Sequence, residues 1–361
     1  MRYDRFQQEA IDHIKEGHSV IVCAPTGAGK TAIAEYVIEE CLASNKGVIY
    51  TAPIKALSNQ KYRDFQKRYP DKIGILTGDI SINPDAPVLI MTTEILRNKI
   101  MDEPRSLKKF SWVIYDEIHY IDNYERGSVW EESLMLLPNH IRIVGLSATV
   151  PNIEEFSGWI TSVHHMPLKV IIEKNRPVPL HFRFQCQNKI IDDFKELRHL
   201  SVKIIPYAYR HRRAGFHKEA HPNRISMLIH SIRQNAELPC IYFCFSRRRC
   251  EELAEELSSV DFLEESERDD ILNLFNELLK RFDLTHEQSA SRMSHLISRG
   301  IAYHHAGMLP TLKEVIEQLF TSRLLKVIFT TETFALGINM PALSVVFDDL
   351  RKFYGNYVRN L

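Results

Sequence analysis

No apolar run in this chain approaches the ~20 residues that a membrane-spanning helix needs. Met1-Arg2-Tyr3-Asp4 opens without the basic and apolar regions of a signal peptide, so a cytoplasmic protein is expected. The six cysteines form no C-x-x-C pair, which removes the simplest zinc and redox motifs. Cys23, Cys240 and Cys244 lie in apolar, strand-like runs and read as buried thiols. Net charge is also lacking: 46 Lys and Arg balance 46 Asp and Glu, which argues against nucleic-acid binding by bulk charge alone. A basic groove remains open, because Tyr209-Arg210-His211-Arg212-Arg213 and Arg247-Arg248-Arg249 are local clusters, each equally readable as a solvated face. His211, His217 and His221 have loose metal-like spacing, but no Cys lies near and two arginines intervene, so no zinc site is expected. Short repeats and low-complexity tracts are absent.

What is present fits a two-domain α/β protein. A chain of 361 residues exceeds one ordinary core, and 44% hydrophobic with 25% charged residues describes a globular protein. Strand-like runs at 19–24, 47–52, 73–77, 88–92, 112–116 and 141–147 alternate with helical ones, the rhythm of a parallel sheet covered on both faces. The rhythm pauses between Pro167 and Leu180, where Arg176-Pro177-Val178-Pro179 cannot continue a helix. The domains are therefore expected at 1–170 and 171–361. In the second, a helical, less regular stretch runs from Lys189 to about His230. Strands then follow at 240–245, 300–303, 325–330 and 344–347, with two helical segments over roughly 247–298.

Residues 24–31 read Ala-Pro-Thr-Gly-Ala-Gly-Lys-Thr between a β-branched run and a helical stretch, the pattern of a phosphate-binding loop. Thr26, Gly27, Ala28 and Gly29 would turn backbone N–H groups toward one point, and the following helix N-terminus adds partial positive charge. Lys30 would reach the β- and γ-phosphates of ATP, and Thr31 would hold magnesium. Ala24 replaces the first glycine of the general pattern. About eighty-five residues later, Trp112-Val113-Ile114-Tyr115 reads as a buried strand ending at Asp116-Glu117-Ile118-His119. Asp116 would bind the metal, Glu117 would orient and deprotonate the attacking water, and His119 would report nucleotide state. Together the two motifs imply an ATP-driven machine.

Longer segments carry a resemblance. Thr51-Ala52-Pro53-Ile54-Lys55-Ala56-Leu57-Ser58-Asn59-Gln60-Lys61-Tyr62, Glu125-Arg126-Gly127-Ser128-Val129-Trp130, Leu146-Ser147-Ala148-Thr149-Val150-Pro151-Asn152, His304-His305-Ala306-Gly307-Met308 and Thr331-Glu332-Thr333-Phe334-Ala335-Leu336-Gly337-Ile338-Asn339-Met340 span nearly the whole chain. In these segments it resembles the superfamily-two DExH-box helicases, and within them the Ski-like RNA helicases. The resemblance implies two RecA-like domains in tandem, the second incomplete, that open and close around ATP while moving three-prime to five-prime on RNA. It implies adenine contact by Gln7 and nucleotide contacts by Gly337 and Asn339. Nucleic-acid backbone contacts are implied for Pro53, Lys55, Gly78, Thr92, Thr93, Ser246 and Thr331, and coupling for Ser147 and Thr149. Backbone amides, hydroxyls and a Lys at strand ends suit phosphates without reading sequence. Single-stranded RNA and an RNA-decay complex are the partners implied.

One departure matters: the family's Gln-x-x-Gly-Arg-x-Gly-Arg motif is not reached before Leu361, and Phe347 to Gly355 looks like the start of a duplex-parting hairpin. A truncated chain that hydrolyses ATP slowly is the expectation. A DNA translocase with the same domains and a nucleotide-gated RNA-binding scaffold are the other readings. Tyr120, Tyr124 and Trp130 are expected to pack rather than stack on bases.

Overall fold

Runs rich in Val, Ile and aromatic residues suit a pleated surface covered on both sides, and they form the strands. The computed structural model describes residues 3–123, 126–201, 223–331, 334, 340–349, 351–353 and 358–360. It divides into two units, Met1–Pro179 and Leu180–Leu361.

In the first unit, β1 (Ser19–Cys23), β2 (Gly47–Ala52), β3 (Ile73–Leu76), β4 (Ser81–Ile82), β5 (Val88–Thr92), β6 (Phe110–Tyr115), β7 (Arg142–Ser147) and β8 (Leu168–Ile172) form one sheet. Their order is β4-β3-β5-β2-β6-β7-β1-β8, and every pairing except β3 with β4 is parallel. Side chains alternate between two cores. Val20, Val22, Val48, Tyr50 and Ile114 face α1 (Arg5–Lys15), α2 (Thr31–Ala43) and α3 (Lys55–Arg68), packing with Ala10, Ile38 and Phe65. Ile21, Ile49, Leu89 and Val113 face α4 (Thr93–Asp102), α5 (Gly127–Met135) and α6 (Ile153–His164), packing with Leu96, Trp130 and Ile160. Each such buried side chain contributes about 1.5–3 kcal/mol relative to exposure.

A domain boundary at 170/171 would cut β8, which pairs with β1 along Ser19↔Leu168 to Cys23↔Ile172. Only Ile171 of that strand is buried, so this edge strand gives no continuous apolar run. The second unit begins with a hairpin of β9 (Phe184–Cys186) and β10 (Lys189–Ile191), where the sequence reading had a helical stretch from Lys189. Gln187 and Asn188 at its turn have φ of 52° and 64°, a left-handed conformation that Asn tolerates. Then come α7 (Phe194–Ser201), α8 (Ile225–Gln234), β11 (Cys240–Phe243), α9 (Arg247–Glu256), α10 (Glu265–Arg281), α11 (Gln288–Ile297), β12 (Ile301–His304), α12 (Pro310–Thr321), β13 (Val327–Thr330) and β14 (Ser344–Phe347). Three helices, not two, fill 247–298. The all-parallel sheet runs β12-β13-β11-β14 over one core. A pair of short antiparallel strands, β15 (Arg351–Phe353) and β16 (Val358–Asn360), completes the described chain. This is the α/β architecture of tandem RecA-like domains. All six cysteines are buried and free. No helix among the described residues is long and apolar enough to cross a membrane.

Candidate functional site

Parallel strands put all their carboxyl ends along one edge, and open α/β sheets bind ligands there. In the first unit that edge collects the loop after β1, Pro53 after β2, Thr92 and Thr93 at the β5–α4 junction, Asp116 after β6 and Ser147 at the end of β7.

The loop after β1 carries Gly27 and Gly29, both at φ 85°. At Gly27 an added Cβ would meet nothing within 4 Å, so backbone conformation alone demands glycine there. At Gly29 it would lie 2.8 Å from Gln7 Nε2. Gln7 is buried and bonded at both ends of its amide: Nε2 donates to Gly29 O at 3.0 Å, and Oε1 accepts from Asp4 N at 2.9 Å in a capping box. Gln7 thus ties α1 to the loop. Beside this tie, Asp4, Phe6, Ala28, Glu173, Asn175, Arg176 and Pro177 line a cavity of about 320 Å³. Thr26 is exposed at the tip of the loop and Ala28 is buried beneath it.

Lys30 Nζ donates to the carbonyls of Ala24 at 2.8 Å and Pro25 at 3.3 Å. Burial pushes its ammonium pKa down, while Glu117 and Asp116 pull it back up. Asp116 is held from both sides. The buried Tyr50 hydroxyl donates to Oδ2, and Glu117 N donates to Oδ1 at 3.1 Å. Glu117 sits at φ 52°, a left-handed conformation that a non-glycine residue adopts only when its surroundings impose it. Burial, and then the neighbouring Asp116, push the Glu117 carboxyl above its usual range, against Lys30 and Lys61. The Thr31 hydroxyl and the Asp116 carboxylate are hard oxygen donors of the kind magnesium takes. The Lys61 ammonium of α3 lies 3.2 Å from Thr31 Oγ1 and 3.9 Å from Asp116 Oδ2, so positive charge is already accommodated between them. The loop glycines, the α2 N-terminus, Lys30 and this oxygen pair fit a magnesium nucleotide.

His119 joins this cluster to β7. Its Nδ1 accepts from Ala148 N at 3.4 Å and lies 3.5 Å from Ser147 Oγ. Burial, and then Lys30, push the imidazole pKa down, which disfavours an ion pair across its 3.4 Å approach to Glu117 Oε2. Ser147 O in turn accepts from Ala24 N at 3.1 Å, which closes a circuit from loop to β7 to His119. Thr149 lies exposed just beyond it.

A sequence-family model described as DEAD/DEAH box helicase matches residues 4–156. Over 382 residues the chain is 42% identical to human superkiller complex protein 2, covering 99% of this chain and 31% of that protein. It is 40% identical over 381 residues to the ATP-dependent RNA helicase mtr4 of Schizosaccharomyces pombe, covering 99% and 34%. Human exosome RNA helicase MTR4 is 40% identical over 375 residues, covering 99% and 36%. Along nearly its whole length the chain is similar to these Ski-like DExH-box helicases. It spans about a third of the length of these curated relatives.

The residues expected along nucleic acid differ in exposure. Lys55 opens α3 with its Nζ 2.5 Å from Asp79 Oδ2, beside the exposed Gly78, whose added Cβ would lie 3.3 Å from that Nζ. Pro53, Thr92 and Thr93 are buried, and Thr93 Oγ1 has no hydrogen-bond partner. What this corner offers is therefore the backbone at the α4 N-terminus rather than two surface hydroxyls. In the second unit, Ser246 is the exposed N-cap of α9, its side chain accepting from Arg249 N at 3.2 Å. Thr331 N donates to His304 O at 3.3 Å at the end of β13. Gly337, Asn339, Tyr124, His211, His217 and His221 lie outside the described residues. Trp130 is core, 5.9 Å from the Tyr115 ring. Tyr50 and Lys61 are the site residues that the sequence reading left without a role.

Proposed function

We propose that this helicase binds Mg-ATP on its first unit and hydrolyses it to move along single-stranded RNA, three-prime to five-prime, as the motor of an RNA-decay assembly located in the cytoplasm. The observation that carries this reading is the convergence of Lys30, Thr31, Asp116 and Glu117 at the carboxyl edge of one parallel sheet. The names of the relatives, ATP-dependent and exosome RNA helicases, support RNA as the track.

In this reading the loop amides and Lys30 grip the phosphates, and Gln7 with the adjoining cavity positions the base. Thr31 and Asp116 would hold magnesium, which when bound neutralises charge developing on the phosphate oxygens. Glu117, its left-handed backbone aiming the carboxylate, orients water and takes its proton. A raised pKa makes it a better proton acceptor once ionised. His119 carries the change to Ser147 and Thr149, while Gly337 and Asn339 act on the nucleotide from the second unit. Pro53, Lys55, Gly78, the Thr92–Thr93 backbone, Ser246 and Thr331 hold the RNA backbone, contacts that fix position without selecting sequence.

Steady-state ATP hydrolysis with single-stranded RNA, single-stranded DNA or neither tests the proposal, with Lys30→Ala as blank. RNA is expected to stimulate turnover more than DNA, because the 2′-hydroxyl is the difference a protein can read. Equal stimulation would move the assignment to a DNA translocase. Nucleotide binding with unchanged turnover in Glu117→Gln would move it to a nucleotide-gated scaffold.

A further inference from the structure

Lys61 has a geometry that simple charge pairing does not explain. Both oxygens of Asp116 are already bonded, Oδ2 to the Tyr50 hydroxyl and Oδ1 to Glu117 N, so the carboxylate does not need Lys61 to be satisfied. The ammonium stands instead at hydrogen-bond distance from the Thr31 hydroxyl, 3.2 Å, and only 3.9 Å from Asp116 Oδ2. It is held over the Tyr50 ring at 5.8 Å from the centroid, and its side chain is 15% exposed. Here a single positive charge spans the same two oxygen ligands that a magnesium ion would take.

We propose that Lys61 is a tethered counterion for the metal position, competing with magnesium for Thr31 and Asp116 and so setting the magnesium concentration at which Mg-nucleotide binds. The inference rests on the role given above to those two ligands. An ammonium and a dication cannot share positions within ~4 Å at low dielectric without strong repulsion. Binding of the ion therefore requires the four-carbon lysine stem to withdraw, which its rotatable bonds allow. Until then Lys61, with Lys30, offsets the two neighbouring carboxylates of Asp116 and Glu117.

Binding of a fluorescent ADP analogue by the full chain, titrated with magnesium, tests this. Lys61→Met is expected to reach half-saturation at about tenfold lower magnesium, the scale on which second-layer changes move metal affinity. Lys61→Arg, which keeps the charge, is expected to stay near the wild-type midpoint. Lys61→Gln repeats the loss of charge with an amide that can still bond Thr31, should the apolar variant misfold by circular dichroism. An unchanged midpoint in both neutral variants overturns the inference while leaving the nucleotide site standing. A raised midpoint overturns it too, because a residue that merely positions Asp116 would behave that way. If the wild type shows no magnesium-dependent binding and matches Lys30→Ala, the nucleotide-site reading and this inference fall together.

Discussion

Tyr50 in the first unit and Tyr242 in the second make the same bond in the same register. Each stands one residue before the end of its strand pairing, Thr51↔Tyr115 and Phe243↔Phe347, and donates its hydroxyl to the aspartate just past the neighbouring strand, Asp116 and Asp348. The aspartate N–H groups donate to Thr51 O at 2.9 Å and Phe243 O at 3.0 Å. Burial first, and then the aspartate, push both tyrosine pKa values up. A cation from the following helix completes each cluster, but differently. Arg249 Nε pairs directly with Asp348 Oδ2 at 3.1 Å, whereas Lys61 stands back from Asp116 and bonds Thr31 instead. The Tyr–Asp couple is thus a packing solution common to both sheets. Under the proposed function, reactivity comes from what the first unit adds to that couple: the glycine loop, Lys30 and Glu117, a second carboxylate on left-handed backbone.

The largest way to break the comparison is to remove one of those additions. Glu117→Gln is expected to lower ATP turnover by about 10²–10⁴-fold while nucleotide still binds, measured by phosphate release beside a binding titration. Asp116→Asn should lose roughly a hundredfold in turnover together with its magnesium requirement. Its counterpart Asp348→Asn should leave nucleotide binding intact and cost about 1–3 kcal/mol in denaturant unfolding. Tyr50→Phe and Tyr242→Phe should each cost about 1–3 kcal/mol, since each removes a bond to a charged acceptor, yet only Tyr50→Phe should shift the magnesium dependence. The smallest effect is in pH. Glu117 must be ionised to take a proton and its pKa is raised, so the acidic limb of turnover should lie above the ordinary glutamate range and move when Asp116 is neutralised. By linkage, the folded state binds that proton more tightly than the unfolded chain, so this group's contribution to stability falls as pH rises through the raised value.

Much of the first site was legible because its parts are local. A glycine loop between strand and helix and an acidic pair after an apolar strand are contiguous segments, and parallel topology brings strand ends together without long-range detail. Lys61 was not legible as a site residue because its contact with Thr31 spans 30 positions. A signal existed: Ser58, Lys61 and Phe65 share one face of α3, Ser58 and Phe65 are buried, and a lysine on such a face needs a partner. At Thr92 and Thr93 what the sequence hides is burial, since hydroxyls at a strand end look available until the packing around them is known. The edge strand β8 escaped because only one of its residues is buried.

Magnesium-dependent binding of fluorescent ADP to Asp116→Asn and Asp348→Asn, run side by side with the wild type, separates the two units most directly. Loss of the magnesium dependence in Asp116→Asn, with wild-type behaviour in Asp348→Asn, is the expected result. Equal loss in both variants, or in neither, would contradict the assignment of the magnesium ligands to the first unit.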